Sequence, residues 1–438
     1  MSTHIPPDTE RINSYYTASC NDHSHYPSLK GTVEVETCII GGGLSGIGTA
    51  LPLAQQQHSV ALIEAAQIGY GASGRNGGQV IYGYAAEMSN LASMIGLKNA
   101  QTLWQWSREA VTLIEQQIQT YQISCDWQRG YAHAAILPRQ LRALTEWVKE
   151  AAEHYHFHDY EVWNSNQLQQ QLASERYTGA IFDHQAGHLH PLNYLLGLAR
   201  AAARAGALLF EHSPMLSLET WQHGYRITTP NGNIIAKNLV IAVNAFTRSL
   251  RLAPIKALEA KILPVGTYMI ATQPLEECAQ QLIKNNMAVC DTRFVLDYYR
   301  LSADKRLLFG GKVNYSGREP GRLQLIQSMR RDMLKVFPQL ADAKIDYVWG
   351  GLVDISMNRL PHFGRLNPQL YFLQGFSGHG VAAAGMGGQI IAEAISGDDS
   401  RLNMFEKIIH HNFPGGSLLR LPIQWVGTSY YRLKDLLP

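Results

Sequence analysis

Two stretches of this chain have the residue types and spacing for chemistry. The first is Gly41-Gly42-Gly43-Leu44-Ser45-Gly46, a G-x-G-x-x-G, with Glu64 lying 18 residues past Gly46. That spacing suits a dinucleotide. Gly41 permits a tight turn, Gly43 lets backbone approach a pyrophosphate, and Gly46 lets a helix pack close to its sheet. Around Leu44 and Ser45 a helix N-terminus offers free N–H groups and partial positive charge to phosphates. Glu64, followed by Ala65, presents a carboxylate to ribose hydroxyls. The second stretch is Gly71–Gly78, "GASGRNGG", closed by Gln79. It carries bare backbone at Gly74, Gly77 and Gly78 and polar side chains at Ser73, Arg75 and Asn76.

The elements that must position these residues are legible around them. "VEVETCIIG" (33–41) crowds apolar residues toward its end, as in a strand buried on both faces. A helix is expected over roughly 45–57, then a strand, "VALIE", 60–64. Pro52 falls inside that helix and removes a hydrogen bond there. An NAD-binding domain would next build another crossover helix. Here a loop without helical periodicity runs through Gly69, Gly71, Gly74, Gly77 and Gly78. Such a loop can follow an extended cofactor, with its polar side chains on phosphate oxygens or flavin edges, which favours FAD over NAD.

Composition narrows the classes. The 438 residues allow two or three domain-sized units, and only 16% are charged, so much of the chain is hidden in a large interior or in subunit contacts. A formal charge of +2 without a basic run argues against nucleic acid. The five cysteines (Cys20, Cys38, Cys125, Cys278, Cys290) are scattered and form no CxxC pair, as expected of free thiols in a reducing compartment. The cytoplasm is the expected location, with no membrane span. His154, His156 and His158 would share one face of a strand, but nothing completes a metal site, so no metal is expected.

Four stretches together resemble the FAD-dependent amine and amino-acid oxidases of the D-amino-acid oxidase (DAO) superfamily: "GGGLSGIGTA", "IEAAQIGYGASGRNGGQV", "GHLHPLNYLLGLARAAARAGA" and "LYFLQGFSGHGVAAAGMGGQIIAE". The likeness extends to "SYYTAS", "RYTGAIFDH", "LDYYRLSADKRLLFGG", "FPQLADAKIDYVWGG" and "FPGG", and within the class it is greatest to oxidases of gamma-glutamylated amines. It implies an α/β (α+β overall) fold. A discontinuous Rossmann-like FAD domain (33–84, 181–251 and 346–400) would join an antiparallel-sheet substrate domain (85–180 and 252–345), as in glycine and sarcosine oxidases. An N-terminal extension (1–32) and a C-terminal tail (401–438) would flank them.

The resemblance also implies site residues. Met215 would lie near the adenine. Asn244-Ala245 would end a buried strand where many relatives carry Ala-Thr-Gly; here the preceding residues are Ala242-Val243. Gly350 would border the flavin. The helix starting after Gly378-His379-Gly380-Val381 would point its N-terminus at the ring, where it stabilises negative charge. His379 and Trp349 are candidates beside the ring. Tyr298 and Arg300 would share one face of a strand, with Tyr299 on the other; the tyrosines would wall a polyamine chain and Arg300 would meet a distant carboxylate. No cysteine follows Cys290, so the FAD is expected to be non-covalent. Lys261 is a guess for an oxygen-activating group.

Amino-acid oxidases of the class grip the substrate carboxylate with arginines. Here the corresponding positions read Gly351-Leu352-Val353-Asp354 and Gly378-His379-Gly380. A buried carboxylate needs a paired donor, so an amine without a carboxylate on the reacting carbon fits better. The implied reaction is oxidation of the terminal amine of a gamma-glutamylated polyamine, such as gamma-glutamylputrescine. Hydride passes to the flavin, the imine hydrolyses to aldehyde and ammonia, and O2 accepts the electrons to give H2O2. Two alternatives stay open: a dehydrogenase using another acceptor, and a flavoprotein subunit inactive alone. Oligomeric state is not legible.

Overall fold

The computed structural model describes residues 11–250, 253–314 and 321–414. Two sheets organise it. The first runs in the order His362–Asn367, Leu370–Gln374, Gly232–Ile241, Gly31–Ile40, Val60–Ile63, Leu208–Phe210. Its last five strands are parallel, and a hairpin (Ser217–Trp221, Gly224–Thr228) extends Gly232–Ile241. Cys38–Ile40 and Val60–Ile63 are buried throughout, as strands covered on both faces must be.

Three helices cover the face that carries the glycine motif. Leu44–Gln55 follows the motif, with Pro52 confined to its last turn. Pro191–Arg204 and Gly380–Ile395 pack on it. The crossing with Gly380–Ile395 is so close that a Cβ on Gly388 would lie 2.6 Å from the Gly48 carbonyl carbon. Glycine at both positions lets two helix N-termini reach the same cavity.

The second sheet has the order Ile345–Ser356, Ile262–Thr272, Leu307–Asn314, Tyr298–Leu301, Ala288–Asp291, Gln128–Ala135, Gly179–His188, Gln79–Val80, with Tyr160–Asn164 also on Gly179–His188. It is antiparallel except where Ala288–Asp291 pairs with Gln128–Ala135 in parallel. The expected domain boundaries therefore shift. The segments 79–80, 181–188 and 346–356 run in this sheet, not in the first. The strand expected to carry Tyr298, Tyr299 and Arg300 spans Tyr298–Leu301.

The N-terminal segment is no loose extension. Tyr16 is fully buried, edge-on to Trp349 with ring centroids 5.4 Å apart, and Tyr15 donates to Asp304 at 2.7 Å. The expected C-terminal tail begins with a short helix, Ser400–Phe405; residues 1–10, 251–252 and 415–438, including the glycines of "FPGG", lie outside the described residues. His154 sits in the last turn of helix Pro138–Tyr155 and His156 is its left-handed cap, so the three histidines do not line a strand. Among the described residues no cluster suited to a metal ion occurs, and no helix is long and apolar enough to cross a membrane.

Candidate active site

Two adjoining cavities meet at Ala72, Asn76, Val353, Gly378, Gly380 and Val381. The narrower one, about 190 Å³, follows the C-terminal ends of the parallel strands. Gly41, Gly43, Leu44 and Ser45 line it at one point, Glu64, Ala65 and Met215 at another, and Asn244 at a third. Gly41 adopts φ +114°, and a Cβ there would sit 2.5 Å from the Ala242 oxygen. Gly46 lies behind the cavity; a Cβ there would stand 1.9 Å from the Gly41 oxygen. Glu64 accepts from the Gly42 and Ala66 N–H groups at 2.7 and 2.9 Å, and burial pushes its carboxyl above the usual range. A cradle that any side chain would fill, a helix N-terminus without a side-chain cap and a carboxylate at the strand end fit a dinucleotide.

The "GASGRNGG" loop is a tight helical turn, Ala72–Gly74, followed by a bend into Gln79–Val80. Ser73 Oγ accepts the Leu44 N–H at 3.0 Å, tying the loop to the phosphate-binding turn. Asn76 is a clip within the loop: its amide donates to the Ala72 and Ser73 oxygens at 3.0 Å and accepts from Gly78 N at 2.7 Å. It also lines both cavities at their junction. Arg75 lies over the Tyr70 ring and donates to the Gly350 oxygen at 3.3 Å. The glycines are needed for contact. A Cβ on Gly77 would lie 2.7 Å from the Tyr298 ring, and one on Gly78, at φ +73°, 2.1 Å from the Leu189 oxygen. Gln79 spans to the Val289 oxygen at 3.0 Å and lines the larger cavity.

Among the cavity residues that escaped the sequence reading, Asp354 is the most deeply buried acid of the narrower cavity. Asp354 is 1% exposed and accepts from Gly375 N; with its amide nitrogen turned toward the carboxylate, Asn244, at φ 49°, also donates to it. The only sequence signal was an acid at the end of Gly351-Leu352-Val353-Asp354. Burial raises the Asp354 carboxyl to about 6. A raised acid favours the folded state when protonated, so ionisation weakens folding as pH climbs through that value. Relative to Asp354→Asn, the native chain is expected to lose about 2 kcal/mol between pH 4 and pH 7. Parallel denaturation curves at the two pH values check this; a pH-independent difference contradicts it. Ala245 is buried beneath the cavity and does not line it, whereas Phe246 does.

The larger cavity, about 1080 Å³, lies between the second sheet and helices of the 88–155 region. Val353 and Gly378, where an amino-acid oxidase would place arginines, stand at its junction with the first cavity. His379 lines it and its Nε2 lies 3.0 Å from the Tyr82 oxygen; burial lowers the pKa of the imidazole. A carbonyl only accepts, so Nε2 carries the hydrogen and Nδ1 is the acceptor of the neutral ring. Tyr298 lines the cavity as expected, and burial raises its phenol.

Four other expectations are corrected. Tyr299 faces the opposite side, stacked on Phe309 and 3.1 Å from the Tyr177 hydroxyl, in a separate core. Arg300 is 3% exposed and donates to the oxygens of Gly77 (2.7 Å), Leu189 (2.8 Å), Leu301 (3.1 Å) and Tyr16 (3.2 Å). It is a strut beneath the loop, not a carboxylate receptor. Trp349 is likewise a post: its indole donates to the Arg75 oxygen at 3.0 Å. Lys261 donates to the His410 oxygen at 2.7 Å and lines neither cavity.

A family model described as FAD dependent oxidoreductase matches residues 36–394. A probable oxidoreductase, OrdL, of Haemophilus influenzae is 40% identical over 97% of this chain and 98% of its own length. The gamma-glutamylputrescine oxidoreductase of Escherichia coli is 38% identical over 98% of this chain and 99% of its own. Among solved structures, the glycine oxidase of Geobacillus kaustophilus superposes with a TM-score of 0.72 at 18% identity, over 87% of this chain and 99% of that one.

Proposed function

Because the chain belongs to the DAO family of FAD-dependent oxidoreductases, we propose that it oxidises the terminal primary amine of a gamma-glutamylated polyamine, with O2 as the electron acceptor. The observation that carries this reading is the junction of the two cavities, which holds Val353 and Gly378 where a substrate carboxylate would require arginine. The similarity to the gamma-glutamylputrescine oxidoreductase over nearly the whole chain supports gamma-glutamylputrescine as the substrate.

FAD, bound non-covalently in the narrower cavity, supplies the hydride acceptor. The chain's own residues do the rest. Glu64 and the N-terminus of Leu44–Gln55 hold the nucleotide end, and the N-terminus of Gly380–Ile395 opens on the junction. Hydride leaves readily from a neutral amine, so the ammonium must lose its proton on binding. Neutral His379, with Nδ1 as acceptor, is suited to take it. Tyr298 and the apolar wall at Val353 and Val381 position the amine-bearing carbon at the junction.

In air, gamma-glutamylputrescine is expected to give equal amounts of aldehyde, ammonia and H2O2. Aldehyde without peroxide would assign a dehydrogenase instead.

A further inference from the structure

The larger cavity has a wall that oxidation at the junction does not use. Tyr82 leaves the junction region, where its oxygen meets His379, and its ring runs to Trp104, Phe157 and Tyr160 at centroid distances of 5.4, 5.2 and 6.3 Å. Trp147 stands edge-on to Trp104 at 5.5 Å. Tyr82, Trp104, Trp147 and Tyr160 all line the cavity, and so does Asp183.

Asp183 is 3% exposed on the strand Gly179–His188. One of its oxygens accepts the N–H groups of Gln185 and Ala186 at 2.9 and 3.1 Å, and no arginine or lysine pairs with it among the described residues. The Tyr82 hydroxyl faces the Asp183 carboxylate, and the Trp104 indole nitrogen is buried, in a side chain 3% exposed, without a hydrogen-bond partner among the described residues. A buried polar group left in this way marks a place where a ligand completes the set. The other charged groups lining this side are Glu146, Glu150 and Arg139. A buried carboxylate ringed by aromatic faces is the environment that holds an organic ammonium.

We propose that Asp183, Tyr82, Trp104 and Tyr160 form a distal pocket for a second ammonium group of the substrate, away from the carbon that is oxidised. This rests on the amine-oxidising reading above. In a gamma-glutamylated polyamine the group that fits is the α-ammonium of the glutamyl end. The pocket therefore selects substrates whose second cation lies at the glutamyl end, farther from the reacting amine than the second ammonium of putrescine, and sets Asp183 against the end that does not react.

The test uses the flavin-loaded enzyme and two amines in anaerobic stopped flow: gamma-glutamylputrescine and its des-amino analogue, glutarylputrescine. The analogue is expected to show a dissociation constant about thirtyfold higher or more, with a similar limiting rate of flavin reduction. Asp183→Asn is expected to weaken gamma-glutamylputrescine by a comparable factor and to leave the analogue unchanged; Tyr82→Phe should weaken the first amine more than the second. The wild-type comparison needs no variant, so a misfolded variant does not protect the idea. Equal affinities for the two amines, or equal weakening of both by Asp183→Asn, overturn the pocket alone. Reduction by neither amine overturns the underlying reading and the pocket with it.

Discussion

A Gly46→Ala chain is expected to purify without flavin and to unfold several kcal/mol more readily than the native chain. The added Cβ would stand 1.9 Å from the Gly41 oxygen, a separation no side-chain rotation can relieve because that oxygen is backbone and a Cβ is fixed by its own backbone. Gly41 cannot yield, since its φ of +114° and its approach to Ala242 hold the turn. The helix Leu44–Gln55 must therefore move away from the strand, and with it the N–H groups that face the cofactor. The control is Gly385→Ala in Gly380–Ile395. A Cβ there meets nothing within 4 Å, so that chain should keep its flavin and gain a few tenths to about 1 kcal/mol from reduced chain entropy. Flavin-to-protein absorbance ratios and denaturation curves on the pair check both halves. A flavin-replete Gly46→Ala protein would contradict the assigned phosphate turn.

Arg300→Met should act on the fold and on the cofactor, not on substrate affinity. The guanidinium satisfies three backbone oxygens and the Tyr16 hydroxyl, and joins the N-terminal segment, the "GASGRNGG" loop and the second sheet. Methionine fills similar volume but leaves those oxygens buried and unpaired, a cost of about 3–5 kcal/mol. Arg300→Lys should recover little, because one ammonium cannot reproduce the fork that spans Gly77 and Leu189. The expected readout is a lower denaturation midpoint and faster flavin loss, with unchanged KM in the fraction that keeps its flavin. A raised KM at native stability would instead restore Arg300 as a carboxylate receptor.

Much of this site was legible in the sequence, and the part that was not follows a physical rule. Local backbone demands left local marks. The turn at Gly41, the packing glycine at Gly46 and the acid at Glu64 could be placed because their jobs are set by neighbours in the chain. Strand alternation correctly put Tyr298 and Arg300 on one face and Tyr299 on the other. Alternation gives a face but not what the face meets. Arg300 finds Tyr16 across 284 positions, and Trp349 finds Arg75 across 274. These long-range partners turned two expected site residues into supports, and the long pairing of Ile345–Ser356 with Ile262–Thr272 shifted the expected domain boundaries. Tyr82 and Asp183 left no local mark, and Asp354 left only an acid with no role attached. Each acquires its meaning from a cavity built by elements far apart in sequence.

The central claim is that the junction at Val353 and Gly378 presents an amine, and not an α-amino acid, to the flavin. The most direct measurement is anaerobic mixing of the flavin-loaded enzyme with gamma-glutamylputrescine, putrescine and glycine in turn, following the flavin absorbance. Rapid bleaching by gamma-glutamylputrescine, with neither putrescine nor glycine matching it, is the predicted result. Bleaching by glycine, or none by gamma-glutamylputrescine, would contradict the account.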